Sequence, residues 1–189
     1  MSIQYCIQCT LPESHCPCDQ APNFQHLSQL AILFHPREVE RRNSTGRILK
    51  NCCKLQSAIW HRLKSEQLSN QFKQYALIYP NNEQLDQTLD ATAASNIEGF
   101  LLIDATWQES KKMLRQSDWL SELPKFTISG KASQYLLRRN QISDGLSTIE
   151  CASQWLASQK LDNESQQLDR FFKYFQTQYL SAREAGLLK

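Results

Sequence analysis

Apolar positions along this chain occur in short continuous runs and in longer stretches with helical spacing. The short runs predict buried strands at Leu30–Phe34, Ala58–Trp60, Gln74–Tyr79, Gly99–Ile103 and Phe126–Ser129. The stretches between them predict helices at Ile48–Cys52, Leu85–Ala94, Gln108–Leu114, Ser147–Ser158 and Glu164–Ala182. Because strands alternate with helices, we expect an α/β fold with a mainly parallel sheet and flanking helices.

The end of the fourth predicted strand is followed by several side chains that could bind a ligand or take part in catalysis. Asp104, Ala105, Thr106 and Trp107 come directly after Phe100–Ile103 and directly before a predicted helix. An acid, a hydroxyl and an indole would then lie at the carboxyl end of a parallel sheet, where open α/β sheets bind ligands. The N–H groups that open the helix can also hold an anion. The structural alternative is that Asp104 or Thr106 caps the helix and Trp107 packs in the core.

Two further segments bring polar groups to the ends of predicted elements. His35 follows the first strand, in a charged loop that leads to Thr45 and Gly46. Ser147–Glu150 opens a later helix. Because strand ends in a parallel sheet meet at one edge, these groups can converge on one pocket. The spacing of Ser147 and Glu150 also fits a capping box, which explains both residues without a ligand.

Four of the seven cysteines lie near the N-terminus, in the pattern Cys6-x-x-Cys9 and Cys16-x-Cys18. Two close pairs across a short loop can supply four thiolates in tetrahedral geometry, so we expect a structural zinc site without an open position for chemistry. His15 could replace one thiol. A disulfide pair is the alternative that an oxidising compartment would favour. A thioredoxin-like site would need the first pair at a helix start after a strand, and no strand is predicted there.

The other three cysteines, Cys52, Cys53 and Cys151, lie in apolar surroundings. They are expected to behave as small buried hydrophobes. A catalytic thiol would need a partner base, and only remote folding would bring one, His61, into reach.

Length and charge narrow the class of protein. With 189 residues, of which 41% are apolar, the chain has room for one domain with a full core. No apolar run approaches membrane-spanning length and no signal-peptide pattern is present, so a cytoplasmic protein is expected. Residues 35–64 carry eight Lys/Arg and two Glu, residues 65–110 one Lys and seven acids, and residues 111–150 seven Lys/Arg and four acids. This pattern permits nucleic-acid contact, although a mixed solvated surface explains it equally well.

Taken in order, short motifs along the chain resemble the DTW-domain family. They are Cys6-Ile-Gln-Cys9…Cys16-Pro-Cys18, His35-Pro36-Arg37-Glu38, Asn43-Ser44-Thr45-Gly46-Arg47-Ile48-Leu49, Asp104-Ala105-Thr106-Trp107 and Ser147-Thr148-Ile149-Glu150. The resemblance implies a SPOUT-like fold with a C-terminal trefoil knot. It also implies a zinc-binding segment at residues 1–24 and a catalytic domain at residues 25–189. The chain departs from the family pattern at Ala105, where Gly is common, and at Cys151, where Ala is common.

In its bacterial members the family is similar to transferases that move the 3-amino-3-carboxypropyl group of S-adenosylmethionine to N3 of a tRNA uridine and release methylthioadenosine. The resemblance therefore implies S-adenosylmethionine and tRNA as partners and structural zinc, without a membrane. The implied catalytic residues are Asp104, Thr106 and Trp107. Asp104 is the candidate general base, or it binds the ligand's amino group. Trp107 is expected to stack on adenine or to pack against the sulfonium.

The resemblance also implies two sets of binding residues. The expected cofactor-binding residues are His35, Thr45, Gly46, Leu102, Asp104, Trp107, Ser147, Thr148 and Glu150. The expected contacts to tRNA phosphates are Arg37, Arg41, Arg42, Arg47, Arg138 and Arg139. Two other functions stay open: a SPOUT-type RNA methyltransferase that uses the same cofactor, and a non-catalytic, zinc-stabilised RNA-binding module. A monomer is expected.

Overall fold

The computed structural model describes residues 3–79, 96–128, 133–137 and 145–188. Its sheet has the strands β1 (Leu30–Phe34), β2 (Gln56–Ile59), β3 (Tyr75–Ile78), β4 (Gly99–Asp104) and β5 (Lys125–Phe126). The described helices are α1 (Thr45–Cys52), α2 (Ser65–Phe72), α3 (Trp107–Arg115), α4 (Asp118–Glu122), α5 (Thr148–Ser158) and α6 (Asp162–Glu184). Short 3-10 helices lie at Glu13–His15, Cys18–Gln20, Gln25–Gln29 and Arg62–Lys64.

All five strands run parallel, in the order β2-β1-β4-β3-β5. The register pairs Phe34 at the end of β1 with Asp104 at the end of β4. From β1 the chain continues through α1 to β2 on one side, whereas from β4 it continues through α3 and α4 to β5 on the other. The two chain segments therefore diverge where β1 and β4 end. Such a topological switch point leaves a crevice at the carboxyl edge of the sheet.

Side chains alternate across the central strands and build a core on each face of the sheet. On one face, Ile32 and Leu102 belong to a cluster with Trp155 of α5 and Phe175 of α6. On the other face, the neighbouring positions of β1 and β4 belong to a cluster with α2, α3 and α4. Because both faces are covered, the strands are nearly continuous apolar runs, as parallel sheets require. The same period of two decides which face a residue at a strand end points to.

The predicted α/β architecture is confirmed, with shifts at the ends of elements. β2 begins two residues before the predicted Ala58–Trp60, and β5 is shorter than the predicted Phe126–Ser129. The helices α2 and α4 were not predicted, because eight and five residues are too few for a clear apolar period. The predicted helix Leu85–Ala94 lies outside the described residues. No helix among the described residues is both long and apolar enough to cross a bilayer.

The cysteine-rich segment is a loop that packs against the α/β domain. Cys9 and Leu11 are buried in the same core cluster as α1 and α6, and the Asn51 side chain donates to the Gln8 carbonyl at 3.0 Å. The boundary between residues 24 and 25 stays a prediction. So does the trefoil knot, because residues 129–132 and 138–144 lie outside the described chain.

Candidate active site and cysteine cluster

Asp104 lies at the centre of a polar junction at the switch point. The Ser44 hydroxyl donates to its Oδ2 atom at 2.6 Å, and the Thr148 hydroxyl donates to its Oδ1 atom at 2.6 Å. The backbone N–H of Gly46 also donates to the carboxylate. Asp104 is 6% exposed. One buried carboxylate therefore joins the N-termini of α1 and α5 to the end of β4.

The burial of the Asp104 carboxylate explains why the junction needs all its hydrogen-bond donors. Burial raises the pKa of Asp104, while the hydrogen bonds from Ser44, Thr148 and Gly46 lower it. A buried polar group left without a partner costs about 1–3 kcal/mol, and more when it is charged. A Cβ atom on Gly46 would lie 2.6 Å from the Asp104 Cγ. Glycine is required there by the close approach of α1 to the carboxylate.

The first turns of α1 and α5 also contact each other directly. The Thr148 N–H donates to the Thr45 hydroxyl at 3.1 Å. The predicted capping box is confirmed, because the Ser147 N–H and hydroxyl both donate to the Glu150 carboxylate, at 2.8 and 2.7 Å. Ser44 is the N-cap of α1 and accepts from the Arg47 N–H. The predicted cofactor-binding residues among them thus have internal partners that hold the helix starts together. They are Thr45, Ser147, Thr148 and Glu150.

A segment without any predictive pattern crosses over this junction. The Ser133 hydroxyl and the Gln134 N–H donate to Glu150 at 2.8 and 2.6 Å. The Tyr135 hydroxyl donates to the carbonyl of Asn43, next to the cap of α1. Residues 133–137 therefore pack beside the carboxyl edge of the sheet. The sequence did not indicate these contacts, because they join residues that are up to 92 positions apart in the chain.

The loop after β1 contributes ionisable groups to the same edge. His35 is stacked on Trp60, with ring centroids 6.0 Å apart, and its Nδ1 atom lies 3.4 Å from Glu109 Oε1. Burial lowers the pKa of His35, although the charge of Glu109 opposes the shift. Glu38, which was not predicted as a site residue, is buried in this loop. Its sequence signals are an acid just after a strand and its place in the motif His35-Pro36-Arg37-Glu38.

Three of the predicted site residues have structural roles, as a helix cap or as part of the core. Thr106 caps α3, because it accepts from the Glu109 N–H and donates to Glu109 Oε2 at 2.7 Å. Trp107 is stacked on Tyr79 at 5.4 Å and packs with the core on the face opposite α1 and α5. Leu102 is 2% exposed in the core on the α1 face. The structure does not bring Trp107 into contact with the Asp104 junction, and the assigned ligand roles stay predictions.

The predicted RNA-contacting arginines that the structure describes lie at the carboxyl edge. They are Arg37, Arg41, Arg42 and Arg47, between β1 and the first turn of α1. The Arg37 side chain is 78% exposed, and the Arg42 guanidinium lies 5.3 Å from the centre of the Tyr5 ring. Arg138 and Arg139 lie outside the described residues. The basic loop therefore lies between the Asp104 junction and the cysteine segment.

The four N-terminal cysteines meet in one cluster, with all Sγ atoms within 4.8 Å of one another. The Sγ atoms of Cys6 and Cys18 are 3.8 Å apart, and those of Cys9 and Cys16 are 3.7 Å apart. None of the seven cysteines forms a disulfide. Hydrogen bonding to the Cys18 side chain, and then burial, raises the pKa of Cys9 far above its usual range. Four thiolates this close require a cation, so the donor set fits a tetrahedral metal such as zinc.

The contacts of His15, Cys52 and Cys53 test what the sequence predicted for these three residues. His15 is not part of it, because its ring nitrogens face the hydroxyls of Ser14 and Ser181. Cys53 is buried, which raises the pKa of its thiol to about 12, as expected for an inert hydrophobe. Cys52 is buried in the core as predicted, and its Sγ also lies 3.4 Å from the Sγ of Cys18. The last turn of α1 therefore contacts the cluster, while its first turn contacts Asp104.

Comparison with known proteins gives one family. The family model described as "DTW domain" matches residues 3–180. The chain is similar to proteins named tRNA-uridine aminocarboxypropyltransferase 2 from Macaca fascicularis, at 26% identity over 186 residues, and from Drosophila melanogaster, at 28% over 165 residues. These alignments cover 86% and 80% of this chain but 58% and 65% of the relatives' lengths. No solved structure matches.

Proposed function

Because the chain belongs to the DTW-domain family, we propose that it transfers the 3-amino-3-carboxypropyl group of S-adenosylmethionine to N3 of a tRNA uridine. Methylthioadenosine is the second product. The names of the relatives, tRNA-uridine aminocarboxypropyltransferase 2, support this reaction class. The observation that carries the proposal within the fold is the Asp104 junction, which lies at the switch point between β1 and β4.

The reaction asks mainly for orientation. The sulfonium already makes the thioether a good leaving group, so the protein must present the γ-carbon, rather than the methyl, to uridine N3. A rigid edge suits this task, because Asp104 holds two helix starts in one geometry through Ser44 and Thr148. Most first-turn N–H groups of α1 and α5 already have partners in Asp104, Ser44, Thr45 and Ser147. The two helix starts therefore favour the ligand's carboxylate through the positive ends of their dipoles.

The arginines, the cysteines and Trp107 keep their predicted roles as parts of this proposal. Arg37, Arg41, Arg42 and Arg47 would contact tRNA phosphates, and their number sets the salt dependence of RNA binding. Zinc held by Cys6, Cys9, Cys16 and Cys18 would neutralise the thiolates and stabilise the segment. Trp107 stays the proposed contact for the adenine or the sulfonium, although its present stacking partner is Tyr79.

The test is an incubation of the protein with S-adenosylmethionine and tRNA that lacks the modification, followed by mass spectrometry of the nucleosides. We expect a uridine that carries an aminocarboxypropyl group, together with released methylthioadenosine. A methylated nucleoside with adenosylhomocysteine would instead identify a methyltransferase. Binding of tRNA without any affinity for S-adenosylmethionine, measured by calorimetry on folded, metal-loaded protein, would identify an RNA-binding module.

A further inference from the structure

The loop between β1 and α1 buries one carboxyl group that the Asp104 junction does not use. Consecutive turns shape this loop: the Glu38 N–H donates to the His35 carbonyl at 2.9 Å, and the Arg41 N–H donates to the Glu38 carbonyl at 3.2 Å. Glu38 is 7% exposed, whereas its neighbours Arg37 and Glu40 are exposed. Glutamate is rarely buried so deeply without a partner or a task.

Within the described residues, one Glu38 oxygen has an ionic partner and the other accepts no hydrogen bond. Its Oε1 atom accepts from Arg41 Nη1 at 2.6 Å, and the Arg41 side chain is 48% exposed. In the part of the chain that the structure describes, no hydrogen bond reaches Oε2. The Oε2 lone pairs are therefore available to a proton donor from a bound substrate.

The surroundings give Glu38 a high proton affinity for a carboxylate. Burial and the charge of Asp104 raise the pKa of Glu38 to about 7; Glu109 adds to the shift and Arg41 opposes it. The ionisable groups around Glu38 thus come from β4, from α3 and from its own loop. A general base is most effective when its pKa lies near the working pH.

Three other carboxylates among the described residues at this edge are occupied. Both oxygens of Glu150 accept hydrogen bonds, from Gln134 and from Ser133 and Ser147. Both oxygens of Asp104 accept hydrogen bonds from protein donors. Glu109 accepts two hydrogen bonds from Thr106 through Oε2, and its Oε1 faces His35. Although burial opposes ionisation, these hydrogen bonds and the charge of His35 lower the pKa of Glu109. Among the described acids at this edge, Glu38 is therefore the one that combines an oxygen without a hydrogen-bond donor with a pKa of about 7.

We propose that Glu38 accepts the N3 proton of the uridine during aminocarboxypropyl transfer, an inference that rests on the proposed function. The N3–H proton moves to Glu38 Oε2, and the electron pair of N3 forms the bond to the γ-carbon. The bond between that carbon and sulfur breaks, and its electron pair stays on the sulfur of methylthioadenosine. Asp104 then acts as a positioning residue: it holds the loops together, and its charge raises the proton affinity of Glu38.

The test measures single-turnover transfer against pH for Glu38→Gln, with Glu40→Gln as the matched control from the same exposed loop. Glutamine keeps the shape but cannot take a proton, so we expect the rate near pH 7 to fall at least about 10²-fold. The acidic limb of the pH profile should disappear, and the rate should recover as the pH approaches the pKa of uridine N3. Affinities for S-adenosylmethionine and tRNA should be unchanged, and Glu38→Asp should retain the limb at a lower rate.

Each other outcome is decisive. If Glu38→Gln keeps both the rate and the acidic limb, while the wild-type protein is active, Glu38 is not the proton acceptor and the proposed function stands. If instead Asp104→Asn, shown to be folded by thermal unfolding, loses the limb and Glu38→Gln does not, the proton goes to Asp104. If the wild-type protein forms no aminocarboxypropyl uridine, the proposed function fails, and this inference fails with it.

Discussion

The cysteine cluster and the Asp104 junction are two polar centres connected by one helix, and they balance their charge in opposite ways. At the cysteine cluster, four thiols face one another, and Cys9 is 2% exposed. At the junction, a single buried carboxylate accepts hydrogen bonds from Ser44 and Thr148. Among the described residues no cationic side chain lies next to the four thiols, so the proposed neutralising ion would come from solution. The second centre is complete within the chain.

This difference indicates where each centre is vulnerable. If the cluster binds zinc as proposed, loss of the metal leaves the thiols without their partner, and the stability of the N-terminal segment then depends on metal concentration. The junction depends instead on the positions of hydroxyl and N–H donors, so it is sensitive to changes of a single atom. Helix α1 contacts Cys18 through Cys52 and Asp104 through Gly46. A substitution that displaces α1 at one centre is therefore expected to disturb the contacts at the other.

The largest effect is expected from Cys9→Ser, because Cys9 is the most buried of the four clustered thiols. Loss of a metal ligand should lower metal content to background and lower the free energy of unfolding by several kcal/mol. Metal analysis and thermal unfolding measure both. His15→Asn is the control and should keep the metal. Retention of stoichiometric zinc in Cys9→Ser would contradict the four-cysteine site.

Glu38→Gln should change stability in a pH-dependent way, with no substrate present. Burial and Asp104 raise the folded pKa from 4.5 to about 7, so this group's contribution to stability is complete below pH 4.5 and lost as the pH rises through 7. Relative to wild type, the glutamine variant should therefore gain on the order of 3 kcal/mol between pH 4.5 and pH 8. Denaturant unfolding at several pH values measures the difference. A difference that is constant with pH would show that folding does not perturb Glu38.

Gly46→Ala should be destabilising by about 2 kcal/mol, because its Cβ would lie 2.6 Å from Asp104 Cγ. Denaturant unfolding measures the loss, and calorimetry should show weaker S-adenosylmethionine binding because the helix start is displaced. Gly186→Ala provides the comparison: it meets no atom within 4 Å, but its φ of +69° carries a strain cost. If Gly46→Ala retains wild-type stability and affinity, α1 can move away from Asp104 without consequence.

The smallest effect is expected from Thr148→Val, which removes the hydroxyl that donates to Asp104 Oδ1. Because the carboxylate stays buried with one donor fewer, we expect a loss of about 1–2 kcal/mol in unfolding free energy. Thr148→Ser keeps the hydroxyl and should lose less. A larger loss in Thr148→Ser than in Thr148→Val would mean that the methyl group, rather than the hydrogen bond, carries the contribution of Thr148.

Local patterns along the chain were sufficient for the strands, most helices and the cysteine cluster. The run Leu30–Phe34 predicts β1 without error, because a strand covered on both faces is apolar at every position. The Ser147–Glu150 spacing predicts a capping box, because both partners lie within one helical turn. The four cysteines were found for the same reason: their spacing is short, and a metal site closes over a short loop.

Tertiary structure alone decided how the strand ends are used. The sequence brings Asp104 and Trp107 to one strand end. The alternation of the sheet sends Asp104 toward α1 and α5, whereas α3, which begins at Trp107, packs on the opposite core. The burial of Glu38 and the approach of Gly46 to Asp104 depend on contacts between segments far apart in sequence. Composition and short-range periodicity carry no record of such contacts. The sequence by itself therefore determined which elements and ligand types are present, and the packing of loops at the switch point decided which of them meet.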